Sequence, residues 1–224
     1  MPTRVYLVRH GATLLSAEDR FAGETDVELS DQGRAQLRHL ADRLSHEPLS
    51  AVCASPMRRT LESAEILARP HGLPVVPVRA LREISHGRWE GKTRREVEEL
   101  WPEEYARWES DPYTFAPEGG ESGLAVTARA LPSLMELVAA HAGRTLLVVS
   151  HKATIRLLLS ALLGFEPRFY RDRLDQSTAC LNILDFKDPC HARLTLFNDV
   201  SHYASGAPGT PTAHLSSWWD GAKI

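Results

Sequence analysis

Short apolar segments alternate with helical segments along most of this 224-residue chain. Residues 5–8, 51–54 and 145–150 have the length and composition of buried strands, and a segment with helical signals follows each of them. This alternation predicts an α/β fold, a three-layer α/β/α sandwich around a mainly parallel sheet. In such sheets ligands bind at the carboxyl ends of the strands. The residues directly after these three strands are therefore the first candidates for a functional site.

Helix signals refine this outline. Ser55 and Pro56 are typical of an N-cap and a first helical residue, so a helix should begin there. Thr93 and Glu96 form a capping box, which predicts one helix continuing to about residue 108. A further helix is expected from about 122 to 141, and Pro132 should kink or split it.

Size and composition fit a globular protein of one large domain. Hydrophobic residues make up 43% of the chain and charged residues 25%, as in ordinary globular proteins. We expect residues 1–203 to form a single catalytic domain and residues 204–224, rich in Ala, Gly, Pro, Ser and Thr, to be a flexible tail. A net charge of −3 argues against nucleic acid as a partner. The sequence shows neither a leader nor a membrane span, and its three cysteines fit a reducing compartment, so a cytoplasmic protein is expected.

The first junction is the tripeptide Arg9-His10-Gly11, which follows the first strand. A guanidinium group suits a phosphate because its planar fork donates charge-assisted hydrogen bonds. A neutral imidazole beside it can attack phosphorus. Glycine lets the backbone turn or approach a bound group closely. The tripeptide alone is a weak signal, and its place at a strand end is what gives it weight.

The other junctions carry Arg58 and His151. A cation in a first helical turn opposes the helix dipole unless an anion binds there, although for Arg58 taken alone an arginine that points into water is the simpler explanation. His151 could be a buried structural histidine, but it shares its position at a strand end with His10. Glu83 lies in a glycine-flanked loop that also contains His86.

Five pieces of this sequence together resemble the histidine phosphatase superfamily, the phosphoglycerate mutase-like proteins. They occur in the order and spacing of the family over about residues 3–203, and they are 7–11 (LVRHG), 23–30 (GETDVELS), 54–60 (ASPMRRT), 83–91 (EISHGRWEG) and 149–151 (VSH). The resemblance implies a phosphoglycerate mutase-like fold and an enzyme that transfers phosphoryl groups.

The resemblance also implies roles for single residues. His10 would be the nucleophile and form a phosphohistidine, and Glu83 would protonate the leaving oxygen. Arg9, Arg58 and His151 would bind the phosphoryl oxygens. Phosphoryl transfer needs positive charge around these oxygens, and two arginines with a histidine supply it. No metal and no cofactor are expected.

Substrate contacts are predicted at six positions, which are Ser16, Gly23, Glu24, Thr25, His86 and His202. Family members often have Asn where this chain has Ser16, and many have Gly-Gly where it has Lys152-Ala153. Neither departure removes a catalytic group.

Hydrolysis and mutase activity are both compatible with these motifs. Mutases of the phosphoglycerate type carry a long insertion after the general acid, whereas about ten residues separate Glu83 from the helix near Thr93. This favours a metal-independent phosphomonoesterase. Residues 83–89, 101–108 and 119–122 are most similar to cofactor-independent phosphoserine phosphatases, so phosphoserine is one candidate substrate. Phosphatases of α-ribazole phosphate or sugar phosphates, a homodimer, and a binding module that has lost catalysis are the alternatives.

Overall fold

The computed structural model describes residues 1–14 and 20–203. The strands of this part of the chain are β1 (Thr3–Arg9), β2 (Leu49–Ala54), β3 (Val75–Pro77), β4 (Thr145–Ser150), β5 (Leu181–Asp188) and β6 (His191–Asp199). The α-helices are α1 (Asp31–Leu44), α2 (Arg58–Ala68), α3 (Arg94–Leu100), α4 (Pro102–Ser110), α5 (Gly123–Ala140), α6 (Lys152–Leu163) and α7 (Tyr170–Arg173).

The strands form one mixed sheet in the order β3-β2-β4-β1-β5-β6. The first four strands of this order are parallel, and β5 and β6 pair antiparallel at one side. Parallel strands must be joined by crossovers, which the helices provide. The predicted α/β architecture with a mainly parallel sheet is therefore confirmed.

The two faces of the sheet carry separate cores. Because side chains alternate along a strand, Tyr6 and Val8 of β1 face α1 and α2, whereas Val5 and Leu7 face α5 and α6. All four are at most 2% exposed. The sheet is thus covered by helices on both faces, which gives the three predicted layers.

The helix predicted from Thr93 to about residue 108 is two helices. Thr93 and Glu96 form the expected capping box at the start of α3. The helix stops at Leu100 because Trp101 leaves the helical region (φ −140°) and Pro102 starts α4 as its first residue. The prediction of one continuous helix was wrong, since proline is favourable at a first helical position and unfavourable inside.

The start of α2 also differs from the prediction. Met57 is its N-cap and Arg58 its first residue, so Ser55 and Pro56 lie in the turn before the helix. Ser55 N–H bonds the carbonyl of Val149 in the sheet, which keeps this residue with the strands. Pro132 lies inside α5 without splitting it.

Helix α5 is, among the described residues, the one helix with the length and mean hydropathy of a membrane span. Four of its side chains, Val126, Ala130, Leu134 and Val138, are at most 1% exposed. Three of them belong to the core between the helix and the sheet. Its apolar composition is thus explained by packing.

Two glycines let α1 approach the end of β1. A Cβ on Gly11 would lie 2.7 Å from the carbonyl oxygen of Gly33, and a Cβ on Gly33 would lie 2.1 Å from that of Ala12. Both distances are too short for real atoms, so these positions require glycine. Gly11 therefore permits a close approach of backbone to helix, next to His10.

Candidate active site

Three strand ends meet at one edge of the sheet. The N–H of His10 bonds the carbonyl of Ser150 (3.1 Å), and the N–H of Ser55 bonds that of Val149 (3.0 Å). These bonds extend the parallel pairing of β1, β4 and β2 by one residue each. They place His10, His151 and Ser55 side by side at the carboxyl ends of the strands, where the sequence predicted a site.

The imidazole of His10 is held in one tautomer. Its Nδ1 lies 2.8 Å from the carbonyl oxygen of Gly11. A carbonyl only accepts hydrogen bonds, so Nδ1 carries the proton and Nε2 has the free lone pair. Burial lowers the pKa of His10 well below its usual range, and the charges of Arg59 and Arg9 lower it further. His10 is therefore neutral, with an unprotonated Nε2, as a nucleophile must be.

The second histidine lies next to the first. The ring centroids of His10 and His151 are 5.2 Å apart with an edge-to-face orientation. His151 is fully buried, and its Nε2 lies 2.7 Å from Ser55 Oγ. Burial lowers the pKa of His151 well below its usual range, with Arg59 and His10 adding to the shift. Both imidazoles are thus neutral in the folded chain.

Arg9 lies on the other side of the cluster. Its Nη1 donates to the carbonyl of Gln176 (2.6 Å), while its buried Nε has no hydrogen-bond partner in the described part of the chain. Burial lowers the pKa of Arg9, and the negative charge of Glu83 opposes this shift. One donor edge is thus anchored and another remains available to a ligand.

The structure buries Arg59 and leaves its neighbour Arg58, the predicted site residue, at the surface. The side chain of Arg58 is 63% exposed and pairs with Glu28 at the surface, whereas Arg59 is 3% exposed. The charge of Arg59 is the first electrostatic influence on His10 and His151 after burial itself. The assignment of Arg58 to the site is therefore corrected to Arg59, because α2 begins two residues later than predicted and successive side chains on a helix point about 100° apart.

Glu83 contributes the carboxylate of the cluster. Its Oε1 accepts from the N–H of Ile84, the N–H of Thr154 and Thr154 Oγ1, each at 3.0 Å, and its Oε2 accepts from the N–H of Ala153 at 3.0 Å. The carboxylate thus caps the first turn of α6, directly after His151. Because Oε2 accepts a single bond among the described residues, this oxygen has room for a proton.

A loop at residues 23–25 closes the cluster. The guanidinium of Arg59 donates to the carbonyls of Gly23 and Thr25, both at 2.8 Å. On the opposite side Glu90 accepts from the N–H groups of Gly23 and Glu24 and from Thr25 Oγ1. The predicted substrate-contact positions Gly23, Glu24 and Thr25 are therefore fixed next to the site. Their contact with substrate stays a prediction.

The remaining predicted contacts lie in different surroundings. His86 is buried against Phe21 (centroids 4.9 Å apart) and its N–H bonds Glu90 (2.9 Å). Burial lowers the pKa of His86, opposed by the carboxylates of Glu90 and Glu83, which places it near the acid. His202 lies against Tyr203, and burial and the charge of Arg43 lower its pKa to about 4. Ser16 lies outside the described residues.

Sequence reasoning missed Arg59 as a site residue and did not single out Ser55 or Glu90. No signal for Arg59 was present, because the choice between the neighbouring arginines depends on the residue at which α2 begins, and that residue is Arg58 rather than the predicted Pro56. Ser55 and Glu90 carried no signal either, since their partners His151 and Gly23 are distant in sequence.

The family model for the histidine phosphatase superfamily (branch 1) matches residues 5–200. The chain belongs to the histidine phosphatase superfamily. It is 36% identical over 163 residues to phosphoserine phosphatase 1 of Hydrogenobacter thermophilus, which covers 73% of this chain and 77% of that protein. It is 37% identical over 168 residues to a glucosyl-3-phosphoglycerate phosphatase of Mycolicibacterium vanbaalenii, covering 72% and 74% respectively.

Solved structures with about 30% sequence identity share the fold. Bacillus stearothermophilus YhfR superposes with a TM-score of 0.83 at 32% identity, over 89% of this chain and 98% of that one. A mycobacterial glucosyl-3-phosphoglycerate phosphatase gives 0.80 at 30% identity, over 88% and 99%. The predicted family and its phosphoglycerate mutase-like fold are thereby confirmed. So is the predicted class of activity: this histidine phosphatase is a hydrolase of phosphoric monoesters.

Proposed function

We propose that this histidine phosphatase hydrolyses a small phosphomonoester metabolite through a covalent phosphohistidine at His10, without a metal ion. The observation that carries the proposal is the bond from His10 Nδ1 to the carbonyl of Gly11 (2.8 Å). This bond leaves the Nε2 lone pair free within a cluster that includes the charges of Arg9, Arg59 and Glu83. Two cations and one acid suit a dianionic phosphoryl group.

The reaction has two steps. In the first, His10 Nε2 attacks phosphorus, the bond from phosphorus to the ester oxygen breaks, and the leaving oxygen takes the proton of Glu83 Oε2. In the second, a water oxygen attacks the phosphohistidine, its proton passes to Glu83, and the nitrogen–phosphorus bond breaks to release phosphate. Arg9, Arg59 and His151 hold the phosphoryl oxygens throughout, since the charges of both arginines act on His10 and the ring of His151 lies 5.2 Å from that of His10.

The segment that follows Glu83, the proposed acid, is short, which favours hydrolysis over mutase activity. From Glu83 to the capping residue Thr93 the chain makes a single 3₁₀ turn, Gly87–Trp89, with no long insertion. A mutase must keep water away from its phosphohistidine, and such a short segment offers little to do so.

Phosphoserine is the substrate we infer first. The relative named phosphoserine phosphatase supports it, as does the place of His86 near Glu83, where a neutral imidazole can meet a polar leaving group. The relatives named glucosyl-3-phosphoglycerate phosphatase favour a second candidate, a glycosylated phosphoglycerate. A homodimer, a cytoplasmic location and a flexible tail at residues 204–224 stay predictions.

Phosphohistidine trapping tests the chemistry. The enzyme in EDTA is mixed rapidly with ³²P-labelled phosphoserine and quenched in alkali, which preserves phosphohistidine. We expect an acid-labile label that maps to the peptide with His10 and is absent from His10→Gln. A label elsewhere, loss of turnover in EDTA, or turnover by His10→Gln would contradict the proposal.

A phosphate-release panel of phosphoserine, α-ribazole phosphate, glucosyl-3-phosphoglycerate and 3-phosphoglycerate then ranks the substrates. Interconversion of 2- and 3-phosphoglycerate that is faster than hydrolysis would identify a mutase.

A further inference from the structure

Ser55 occupies a rigid and fully buried position beside His151. Its N–H bonds the carbonyl of Val149 (3.0 Å) and its carbonyl accepts from Thr60 Oγ1 (2.8 Å). Both backbone groups are thus used, between β2 and α2. Its side chain reaches His151 Nε2 at 2.7 Å, and neither residue has measurable exposure.

The hydroxyl of Ser55 determines which nitrogen of His151 carries the proton. A buried hydroxyl needs an acceptor for its hydrogen. In the described part of the chain, the contact with His151 Nε2 is the one hydrogen bond that Ser55 Oγ makes. If Nε2 were protonated, the Ser55 hydrogen would have no acceptor among the residues that the structure describes. The satisfied arrangement is therefore Ser55 O–H donating to an unprotonated Nε2, which puts the proton of the neutral ring on Nδ1.

This tautomer leaves His151 with a buried donor that lacks an acceptor. His151 Nδ1 has no hydrogen-bond partner among the described residues. An N–H group buried without an acceptor is unfavourable unless a ligand supplies one. The ring lies 5.2 Å from that of His10, whose Nε2 would attack phosphorus. A phosphoryl oxygen at this place would accept from Nδ1.

The two histidines are thereby held in opposite tautomeric roles. The carbonyl of Gly11 can only accept, so His10 presents a lone pair at Nε2. The hydroxyl of Ser55 donates, so His151 presents a proton at Nδ1. One ring is prepared to attack the phosphoryl group and the other to bind its oxygens, although both are neutral.

We propose that Ser55 is a positioning residue that fixes His151 as the Nδ1–H tautomer, so that His151 donates a hydrogen bond to the phosphoryl group attacked by His10. The inference rests on the proposed function for the identity of the bound group. The tautomer itself is a property of the free enzyme and can be measured without turnover.

Nitrogen NMR on histidine-labelled, phosphate-free enzyme tests the tautomer directly. The His151 signals are assigned by their loss in His151→Gln. We expect a protonated Nδ1 and an unprotonated Nε2 in the wild type, identified from the pattern of couplings to the ring carbon-bound hydrogens. An Nε2–H tautomer in the wild type would overturn the proposal, whatever the variants do.

Variants at Ser55 then test the consequence. Ser55→Ala should convert a large part of His151 to the Nε2–H form, weaken the binding of inorganic phosphate and orthovanadate about tenfold, and lower kcat/KM by a similar factor, as for one lost hydrogen bond to a charged ligand. Because a thiol is a weaker donor, Ser55→Cys should have an affinity and a kcat/KM between those of Ser55→Ala and the wild type. An unchanged tautomer or unchanged vanadate affinity in Ser55→Ala would overturn the proposal.

Ser160→Ala is the matched control. Ser160 is equally buried but lies nine residues further along α6, about 13 Å away along the helix axis. It should leave the His151 signals and the vanadate affinity unchanged. Because tautomer and affinity are measured without catalysis, an enzyme that shows both effects but forms no phosphohistidine would contradict the proposed function and support the role of Ser55.

Discussion

Glu83 and Thr154 are joined by two hydrogen bonds, because both the backbone N–H and the hydroxyl of Thr154 donate to Glu83 Oε1 at 3.0 Å. The single hydroxyl hydrogen of Thr154 is shared with the carbonyl of Arg82 (2.9 Å), and Arg129 donates to the carbonyl of Glu83 (3.0 Å). The acid thus has its backbone and one carboxylate oxygen fixed relative to His151. This rigidity leaves Oε2 as the oxygen that can exchange a proton.

Replacement of Glu83 should affect substrates according to their leaving group. In Glu83→Gln we expect kcat for phosphoserine to fall by about 10²–10⁴-fold, the usual contribution of general acid catalysis. The decrease for p-nitrophenyl phosphate should be much smaller, because a nitrophenolate leaves without a proton. The measurement is kcat for both substrates on the same enzyme preparation.

The control for Glu83 is Thr154→Val, which removes one donor to Oε1 and keeps the backbone bond. It should slow both substrates to the same small extent. An equal loss for both substrates in Glu83→Gln would show that the residue does not act as the proton donor.

The adjacent arginines provide a matched pair. Arg59→Ala should lower kcat/KM by about 10²–10³-fold, as for the loss of one oxyanion donor, whereas Arg58→Ala should stay within a few-fold of the wild type because its ion pair is exposed. The measurement is kcat/KM for phosphoserine in both variants. Thermal unfolding of the same preparations checks that both variants are folded. Arg59→Lys, which keeps the charge but loses the fork to Gly23 and Thr25, should be intermediate. Comparable losses of kcat/KM in Arg58→Ala and Arg59→Ala would contradict the assignment of Arg59, in place of Arg58, to the site.

The sequence was sufficient for the sheet and for most of the cluster because these depend on local signals. Runs such as residues 145–150 are recognisable as buried strands, and a residue that follows one lies at the ligand-binding edge. The choice between Arg58 and Arg59 could not be made in this way, since a shift of one residue on a helix reverses exposure. The break between α3 and α4 is a different case, because Pro102 marks it in the sequence although the apolar pattern continues across it.

The role of Glu90 depends on contacts that no local pattern reveals. Its carboxylate receives five contacts shorter than 3.2 Å, from Gly23 N–H to both oxygens and from Glu24 N–H, Thr25 Oγ1 and His86 N–H to one each. Glu90→Gln replaces one acceptor oxygen by a donor that faces these groups. We expect a loss of about 1–3 kcal/mol in the free energy of unfolding and a raised KM, because the loop at residues 23–25 is released.

Chemical denaturation and steady-state kinetics test this role. Glu118→Gln is the control, since Glu118 is a surface carboxylate that pairs with Arg88 and is 73% exposed; its unfolding free energy should change by less than about 0.5 kcal/mol. If Glu90→Gln behaved like Glu118→Gln, the loop would not depend on this carboxylate.

The adjacent buried histidines His10 and His151 should make the fold sensitive to acid. Burial and the charge of Arg59 hold the pKa values of His10 and His151 well below the ordinary value near 6.5. Above about pH 6.5 neither the folded nor the unfolded chain binds these protons, so the two histidines do not reduce the free energy of unfolding. Below it the unfolded chain binds protons that the folded chain does not, so stability falls with pH until the lower folded pKa is reached, by up to about 1.4 kcal/mol per pH unit for each histidine.

Urea unfolding between pH 8 and pH 5 in phosphate-free buffer measures this effect; phosphate must be excluded because a ligand of the folded state stabilises it. His151→Gln should flatten the decrease below pH 6.5 by about one proton, since glutamine binds none in either state. His46→Gln is the control, because His46 is exposed. It removes a histidine from the surface, and we expect the pH dependence of its unfolding free energy to follow that of the wild type. A His151→Gln curve parallel to the wild type would mean that His151 binds a proton in the folded enzyme, and the neutral pair inferred for catalysis would then be excluded.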